Sequence, residues 1–266
     1  MTDVLEKLYA AKARALAEEE AREGYAALAE RGAARIAERR RFGAAIAGAR
    51  GPAIVAEIKR ASPSLGLIAR NFDAAVVAAN YEVADVDAIS VLTEADHFLG
   101  ELAYLDVARA YSTKPILRKD FLFAPYQIAQ AAAYGADAVL LIVAGLSDAA
   151  LRELSAEAAR FELDTLVEVH DQDELARALA AGATVIGINN RDLRTFETDL
   201  GVTEHLLPLI PRGTLVISES GMHEPEDAAR LFARGARGFL IGEALMRCDD
   251  PAEFVERLKS AAVWAR

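Results

Sequence analysis

Eight short apolar runs recur after residue 52, and they constrain the fold more than any other feature of the chain. They cover 53–58, 88–92, 115–117, 138–143, 165–169, 185–188, 215–217 and 238–241. Each is three to six residues long and built mostly from Val, Ile and Leu. Runs without polar alternation suit parallel strands covered on both faces. Their starts lie roughly 20 to 35 residues apart, which leaves room for a helix in every gap. Helical patterns fill those gaps at 73–83, 101–110, 125–134, 148–160, 171–181, 199–207, 224–234 and 251–262. Asp148 and Asp171 stand at expected helix starts, and Gly135, Gly182 and Gly235 at expected ends. Eight strand–helix units predict an α/β fold, a (β/α)8 TIM barrel over 51–266. An open doubly wound sheet usually shows a Gly-rich phosphate turn after its first strand. The first run here leads instead into Lys59-Arg-Ala-Ser-Pro.

The first fifty residues differ in kind. They are rich in Ala, Glu and Arg and carry no strand-like run. Val4, Leu8, Ala11 and Ala15 recur at helical spacing, Asp3 and Glu6 have the spacing of a capping pair, and Gly24 is placed to break the helix. A second helix is expected over 26–49, with Ile36, Phe42 and Ile46 as apolar positions and Arg39-Arg40-Arg41 as a solvated face. Gly51-Pro52 ends the segment. The expectation is a helical extension, 1–50, packed on a catalytic barrel, 51–266, in one domain overall.

Charge narrows the partners. Thirty basic against 41 acidic residues give a formal net charge of −11, the wrong sign for a general binder of nucleic acid or anionic membranes. A small anionic substrate remains compatible, because screening limits distant charges to a reach of about 8 Å at physiological salt. No run approaches the ~20 apolar residues needed to span a bilayer, and the N-terminus lacks a basic segment followed by an apolar one. The single cysteine, Cys248, excludes an internal disulfide and fits a reducing compartment. These features predict a cytoplasmic protein that works alone as a monomer.

Barrel active sites lie at the C-terminal ends of strands. The apolar runs stop at Glu57-Ile58-Lys59, Arg118-Lys119-Asp120, Glu168-Val169-His170, Asn189-Asn190-Arg191, Ser218-Glu219-Ser220-Gly221 and Gly242-Glu243. Ionisable groups from many strands would therefore converge on one mouth. Strand alternation puts Glu57 and Lys59 on one face, where pairing would make their burial tolerable. A structural ion pair closing the barrel top is the bland alternative for that couple. Ser220-Gly221 and Gly242-Glu243 end the seventh and eighth runs, where barrels often bind phosphate on backbone N–H groups; ordinary turns also favour glycine there. The four histidines, His97, His170, His205 and His223, have no metal-ligand spacing, and no dinucleotide or Walker fingerprint is present. No metal and no cofactor are expected.

The segment 54–64, IVAEIKRASPS, resembles the signature of the indole-3-glycerol phosphate synthase family. So do 90–94 SVLTE, 117–121 LRKDF, 125–128 PYQI, 187–193 GINNRDL, 217–221 ISESG and 239–242 FLIG, in family order across nearly the whole chain. The resemblance implies ring closure of 1-(2-carboxyphenylamino)-1-deoxyribulose 5-phosphate to indole-3-glycerol phosphate, with loss of carbon dioxide and water, in tryptophan biosynthesis. By family position, Lys119 resembles the general acid, and Glu168, Glu57 and Lys59 the remaining acid–base set, with the division of their roles open. Asn189 and Glu219 resemble ligands of the sugar hydroxyls or orienters of the lysines. Arg191 resembles the group that holds the anthranilate carboxylate, and Phe98, Phe121 and Leu140 the lining of an aryl pocket. Lys59, Ser220, Gly221 and Gly242 resemble the phosphate site; at Glu243 some relatives have serine, so only its backbone N–H could donate. The family's N-terminal extension packs against the top of its barrel, which sets the same expectation here. Phosphoribosylanthranilate isomerase is the enzymatic alternative, and a catalytically silent ligand-binding barrel the other.

Overall fold

A computed structural model describes residues 3–63, 65–192, 195–222 and 224–263. Ser64 and Leu193 of the quoted motifs, His223, and the side chains of Asp3 and Val4 lie outside the described residues. Eight parallel strands close into a barrel, each hydrogen-bonded to its neighbours in chain order, with the last pairing to the first. They are β1 (Ala53–Ile58), β2 (Ala88–Leu92), β3 (Ile116–Lys119), β4 (Ala138–Ile142), β5 (Asp164–Val169), β6 (Val185–Asn189), β7 (Leu215–Glu219) and β8 (Gly238–Ile241). All eight apolar runs are strands. β3 and β7 run two residues further than expected, because backbone pairing continues after the apolar pattern has turned polar.

The helices between strands are α4 (Ala74–Val83), α5 (Tyr104–Tyr111), α6 (Pro125–Ala133), α7 (Asp148–Arg160), α8 (Gln172–Ala180), α9 (Gly201–Leu206) and α10 (Pro225–Ala233). α11 (Glu243–Arg247) and α12 (Pro251–Val263) follow β8. Gly135 and Gly182 end α6 and α8 at φ of 81° and 83°, the left-handed conformation that glycine adopts without strain. Asp171 caps α8, its carboxylate accepting from the Glu174 N–H at 2.9 Å. α7 corrects the expectation: its cap is Ser147, whose Oγ accepts from the Ala150 N–H at 3.2 Å. Asp148 sits one residue inside, paired with Arg177 at 2.7 Å.

Alternation along the strands divides the apolar residues into two cores. Ala53, Val55, Leu117, Leu140, Leu166, Ile217 and Leu240 fill the barrel. Ile54, Ala56, Ile58, Val139, Leu141, Ile186 and Ile188 face the helices. Each fully buried Leu, Ile or Val contributes roughly 1.5–3 kcal/mol, so neither face tolerates a one-residue slip in register.

The first fifty residues form α1 (Asp3–Arg22), α2 (Tyr25–Ala34), a short 3-10 turn at Ile36–Glu38 and α3 (Phe42–Gly48). The second long helix expected over 26–49 is therefore broken. The arginines explain the break. Arg39 donates to the carbonyls of Ala132, Ala136 and Phe161 at 2.9, 2.9 and 3.2 Å, and Arg40 to those of Ser112 and Lys114 at 2.7 and 2.8 Å. Phe161 and Ser112 stand at helix C-termini, where carbonyls lack a partner further along the helix. Only Arg41 is solvated, facing Glu162 at 2.5 Å; the expected solvated triple is thus two capping arginines and one surface residue. On α1 the buried residues are Leu5, Tyr9 and Leu16, while Ala15 is exposed. Large side chains, not the alanines, set which face turns inward. The extension does not only cover the top of the barrel: α1 reaches the mouth, where Leu5 and Leu8 line the cavity, but Phe42 and Ile46 of α3 are fully buried at the opposite end as part of the interior core.

Candidate active site

The inward positions that carry Val and Leu deeper in the barrel become polar at its C-terminal rim. Lys119 ends β3, Glu168 lies in β5, and Asn189 and Glu219 end β6 and β7. The Lys119 ammonium lies 3.2 Å from Glu168 Oε2 and 3.0 Å from Glu219 Oε2, clamped between carboxylates from two other strands. Asn189 Nδ2 donates to Glu168 Oε1 at 3.2 Å. Glu57 and Lys59 pair at 2.6 Å on the other side of the mouth. Glycine makes this crowding possible: a Cβ at Gly187 would collide with the Glu219 carboxylate, and one at Gly242 with that of Glu57.

Electrostatics separate these groups. Burial opposes the Lys119 charge, but Glu219, Glu168 and Glu57 outweigh it and raise its pKa above the usual lysine range. Burial also opposes ionised Glu168, yet Lys119 and His170 hold its carboxyl well below the usual range. Glu219 goes the other way: burial, with the Glu168 charge added, outweighs the attraction of Lys119 and pushes it up to about 7. An ammonium thus stands between a firmly ionised carboxylate and one that titrates near neutrality, the kind of divergence that acid–base chemistry uses.

One wall of the cavity is aromatic. Phe98 and Phe121 stand with ring centroids 6.4 Å apart, and the Tyr9 ring of α1 meets Phe121 edge-on at 5.7 Å. Leu140, Leu5 and Leu8 complete this side. Arg191 lines the cavity and donates to the Phe196 carbonyl at 3.0 Å. On the opposite side lie Lys59, Ser220, Gly221, Gly242 and Glu243. Ser220 and Gly221 are both left-handed, at φ of 64° and 83°; for Ser220 that backbone is strained. Glu243 opens α11 and turns its carboxylate to Arg247 at 3.3 Å.

A family model of indole-3-glycerol phosphate synthase matches residues 5–258. The chain belongs to that family. An indole-3-glycerol phosphate synthase of Acidithiobacillus ferrooxidans is 46% identical over 261 residues, covering 97% of this chain and 99% of the relative. One from Caldanaerobacter subterraneus subsp. tengcongensis is 50% identical over 205 residues, 76% of this chain and 80% of the relative. Among solved structures, 3-hexulose-6-phosphate synthase from Salmonella typhimurium superposes with a TM-score of 0.65 at 14% identity, covering 80% of this chain and 100% of that one. KGPDC from Streptococcus mutans gives 0.62 at 17% identity, over 81% and 99%. These two likenesses show the barrel fold alone.

The structure gathers every site residue expected from the sequence of this indole-3-glycerol phosphate synthase family member around one cavity. It also adds residues that sequence reasoning missed. Asn190 Nδ2 donates to Ser218 Oγ and to the Glu219 and Ser220 carbonyls at 2.9, 2.9 and 3.1 Å, pinning the left-handed turn. Asp120 joins Lys12, Thr93 and Arg118 at 2.8, 2.6 and 2.9 Å beside Lys119. Glu94 accepts the N–H groups of His97 and Phe98 at 2.8 and 3.0 Å and so shapes the loop that presents Phe98. The signal available for Asn190 and Asp120 was their place at strand ends, and for Glu94 its place at the end of the 90–94 motif. Among the described residues no cluster of three His, Cys, Asp or Glu could hold a metal, and no helix is long and apolar enough to cross a membrane.

Proposed function

We propose that this cavity closes the indole ring of 1-(2-carboxyphenylamino)-1-deoxyribulose 5-phosphate, as the membership of the chain in the carboxy-lyase family of indole-3-glycerol phosphate synthases implies. The observation that carries the residue roles is the Lys119 ammonium held between Glu168 and Glu219, facing an aromatic wall on one side and a glycine-rich turn on the other. In this reading the aryl ring lies against Phe98, Phe121 and Leu140. Arg191 holds the ring carboxylate, because a guanidinium meets a carboxylate with parallel N–H bonds. The phosphate lies against Lys59, Ser220, Gly221, Gly242 and the backbone of Glu243.

The ring carbon bearing the carboxylate attacks the sugar ketone, and the carbonyl electron pair moves to oxygen. Lys119 stabilises that oxygen by charge and then donates a proton to it. Carbon dioxide leaves, returning its bonding pair to the ring. The hydroxyl then departs as water with a proton from an acid, while a base removes one proton to complete the double bond. Glu168, Glu57 and Lys59 form the acid–base set for this elimination, with Glu168 the base nearest Lys119. Asn189 and Glu219 orient Glu168 and Lys119. We read residues 1–50 as part of the same catalytic unit, because α1 brings Leu5 and Leu8 to the cavity, and the protein as a cytoplasmic monomer.

Phosphoribosylanthranilate isomerase chemistry would want a cysteine–aspartate pair, but Cys248 lies beyond α11 with its thiol on the Leu245 carbonyl at 3.2 Å. The test is appearance of indole fluorescence when the purified protein meets the anilino-deoxyribulose phosphate. Absence of fluorescence with folded protein would overturn the proposal.

A further inference from the structure

His170, just past β5, stands outside the cavity wall but touches its chemistry. Its Nε2 lies 3.4 Å from Glu168 Oε1, at ion-pair range though short of an aligned hydrogen bond, and is otherwise a buried polar atom without a partner. Its Nδ1 lies 3.0 Å from Glu174 Oε2. Glu174 also accepts the His170 backbone N–H at 2.8 Å, while its own N–H is taken by the Asp171 cap. The imidazole is therefore clamped at a helix start and aimed at Glu168. Charges alternate along one line: Glu174, His170, Glu168, Lys119, Glu219.

We propose that His170, held by Glu174, is a positioning residue that fixes Glu168 and supplies its counter-charge once Lys119 has given up its proton. The inference rests on the acid–base role of Glu168 proposed above. The argument is one of balance. When the Lys119 ammonium donates to the substrate oxygen it becomes neutral, and Glu168 loses its nearest cation. Of the other groups that bear on Glu168, the Asn189 amide is neutral, Glu219 from β7 is like-charged, and Tyr9 from α1 stays a neutral phenol because burial, with Glu168 and Asp120 adding, raises its pKa. Among the described groups that act on Glu168, His170 is then the cation left to keep it ionised until the elimination needs a base. Burial alone would discharge the imidazole, but Glu168 and Glu174 outweigh it and push His170 up to about 10, so it is cationic at neutral pH. A neutral imidazole has one N–H and could donate to only one of the two carboxylates.

The test compares kcat and KM against pH for the intact enzyme and for His170→Gln, Glu174→Gln and Glu168→Gln, with the ring-nitrogen NMR signals of His170 read in parallel. The expected result for His170→Gln is an acid limb of kcat moved to higher pH by about one unit, with kcat on that limb down on the order of tenfold, the plateau above it unchanged, and KM within roughly twofold. Glu174→Gln should shift the limb in the same direction by less, and its His170 should lose its proton at lower pH. Profiles of both variants that overlie the wild type, or a wild-type His170 that is neutral at pH 7, would overturn the inference. If His170→Gln does not fold, Glu174→Gln and the NMR titration decide it. Wild-type turnover in Glu168→Gln removes the role of Glu168 and this inference with it. A dead Glu168→Gln beside unshifted His170→Gln and Glu174→Gln overturns the inference alone.

Discussion

In the proposed mechanism Lys119 is both reactant and counterion, and those duties separate by experiment. Lys119→Met should lower turnover by roughly 10²–10⁴, the usual worth of a general acid. It also leaves the buried Glu219 carboxylate without its cation, while Glu168 keeps His170, so its melting temperature should fall at pH 8 and recover toward pH 5 as Glu219 takes up a proton; calorimetry at the two pH values checks this. Glu219 gives the complementary case. Its folded pKa of about 7 lies above the ordinary 4.5, so the native state holds the extra proton between them. Stability is full below pH 4.5 and declines as pH rises through 7. Glu219→Gln removes that decline: at pH 8 it should melt a few degrees higher than the wild type while turning over more slowly, and at pH 4.5 the gap should close. Arg191→Ala should raise KM by on the order of 10–100-fold, the loss of one charge-assisted pair, with a smaller change in kcat; steady-state kinetics read the split.

At the scale of elements, α1 is joined to the rim beside Lys119 by the Lys12–Asp120 pair at 2.8 Å. Asp120 keeps Arg118 at 2.9 Å if Lys12 is removed, so no buried charge is stranded. Lys12→Met should therefore spare the barrel but loosen the helix that brings Leu5, Leu8 and Tyr9 to the aryl wall. KM should rise roughly tenfold or less, near 1 kcal/mol, with little change in melting temperature. The strands were legible because continuous Val, Ile and Leu runs mark parallel strands whatever their partners. The break near residue 35 was not legible: alanine and arginine favour helix locally, and the carbonyls that claim Arg39 and Arg40 come from residues about 70 to 120 positions later. The rim residues could be read because they sit where each apolar run stops. That Lys119 bonds Glu219, 100 residues away, depends on how the ring of strands closes. The clamp of His170 by Glu174 and its aim at Glu168 were not legible: the sequence marked Asp171 as a helix start, and the contacts depend on how that helix meets β5.

For the whole molecule, a net charge of −11 surrounds a mouth that has to accept an anion. Lys59, Lys119 and Arg191 line the cavity, and in the proposed reading their charges act at contact distance, whereas acidic groups beyond about 8 Å are screened at physiological salt. The chain also wraps its own barrel end to end, from α1 at the rim to Phe42 and Ile46 beneath the interior core. With its floor stoppered, the molecule is a blind vessel. The finished indole must depart by the same opening through which the next anilino sugar arrives, so the two cannot share the vessel, and inhibition by product should be competitive in initial-rate assays.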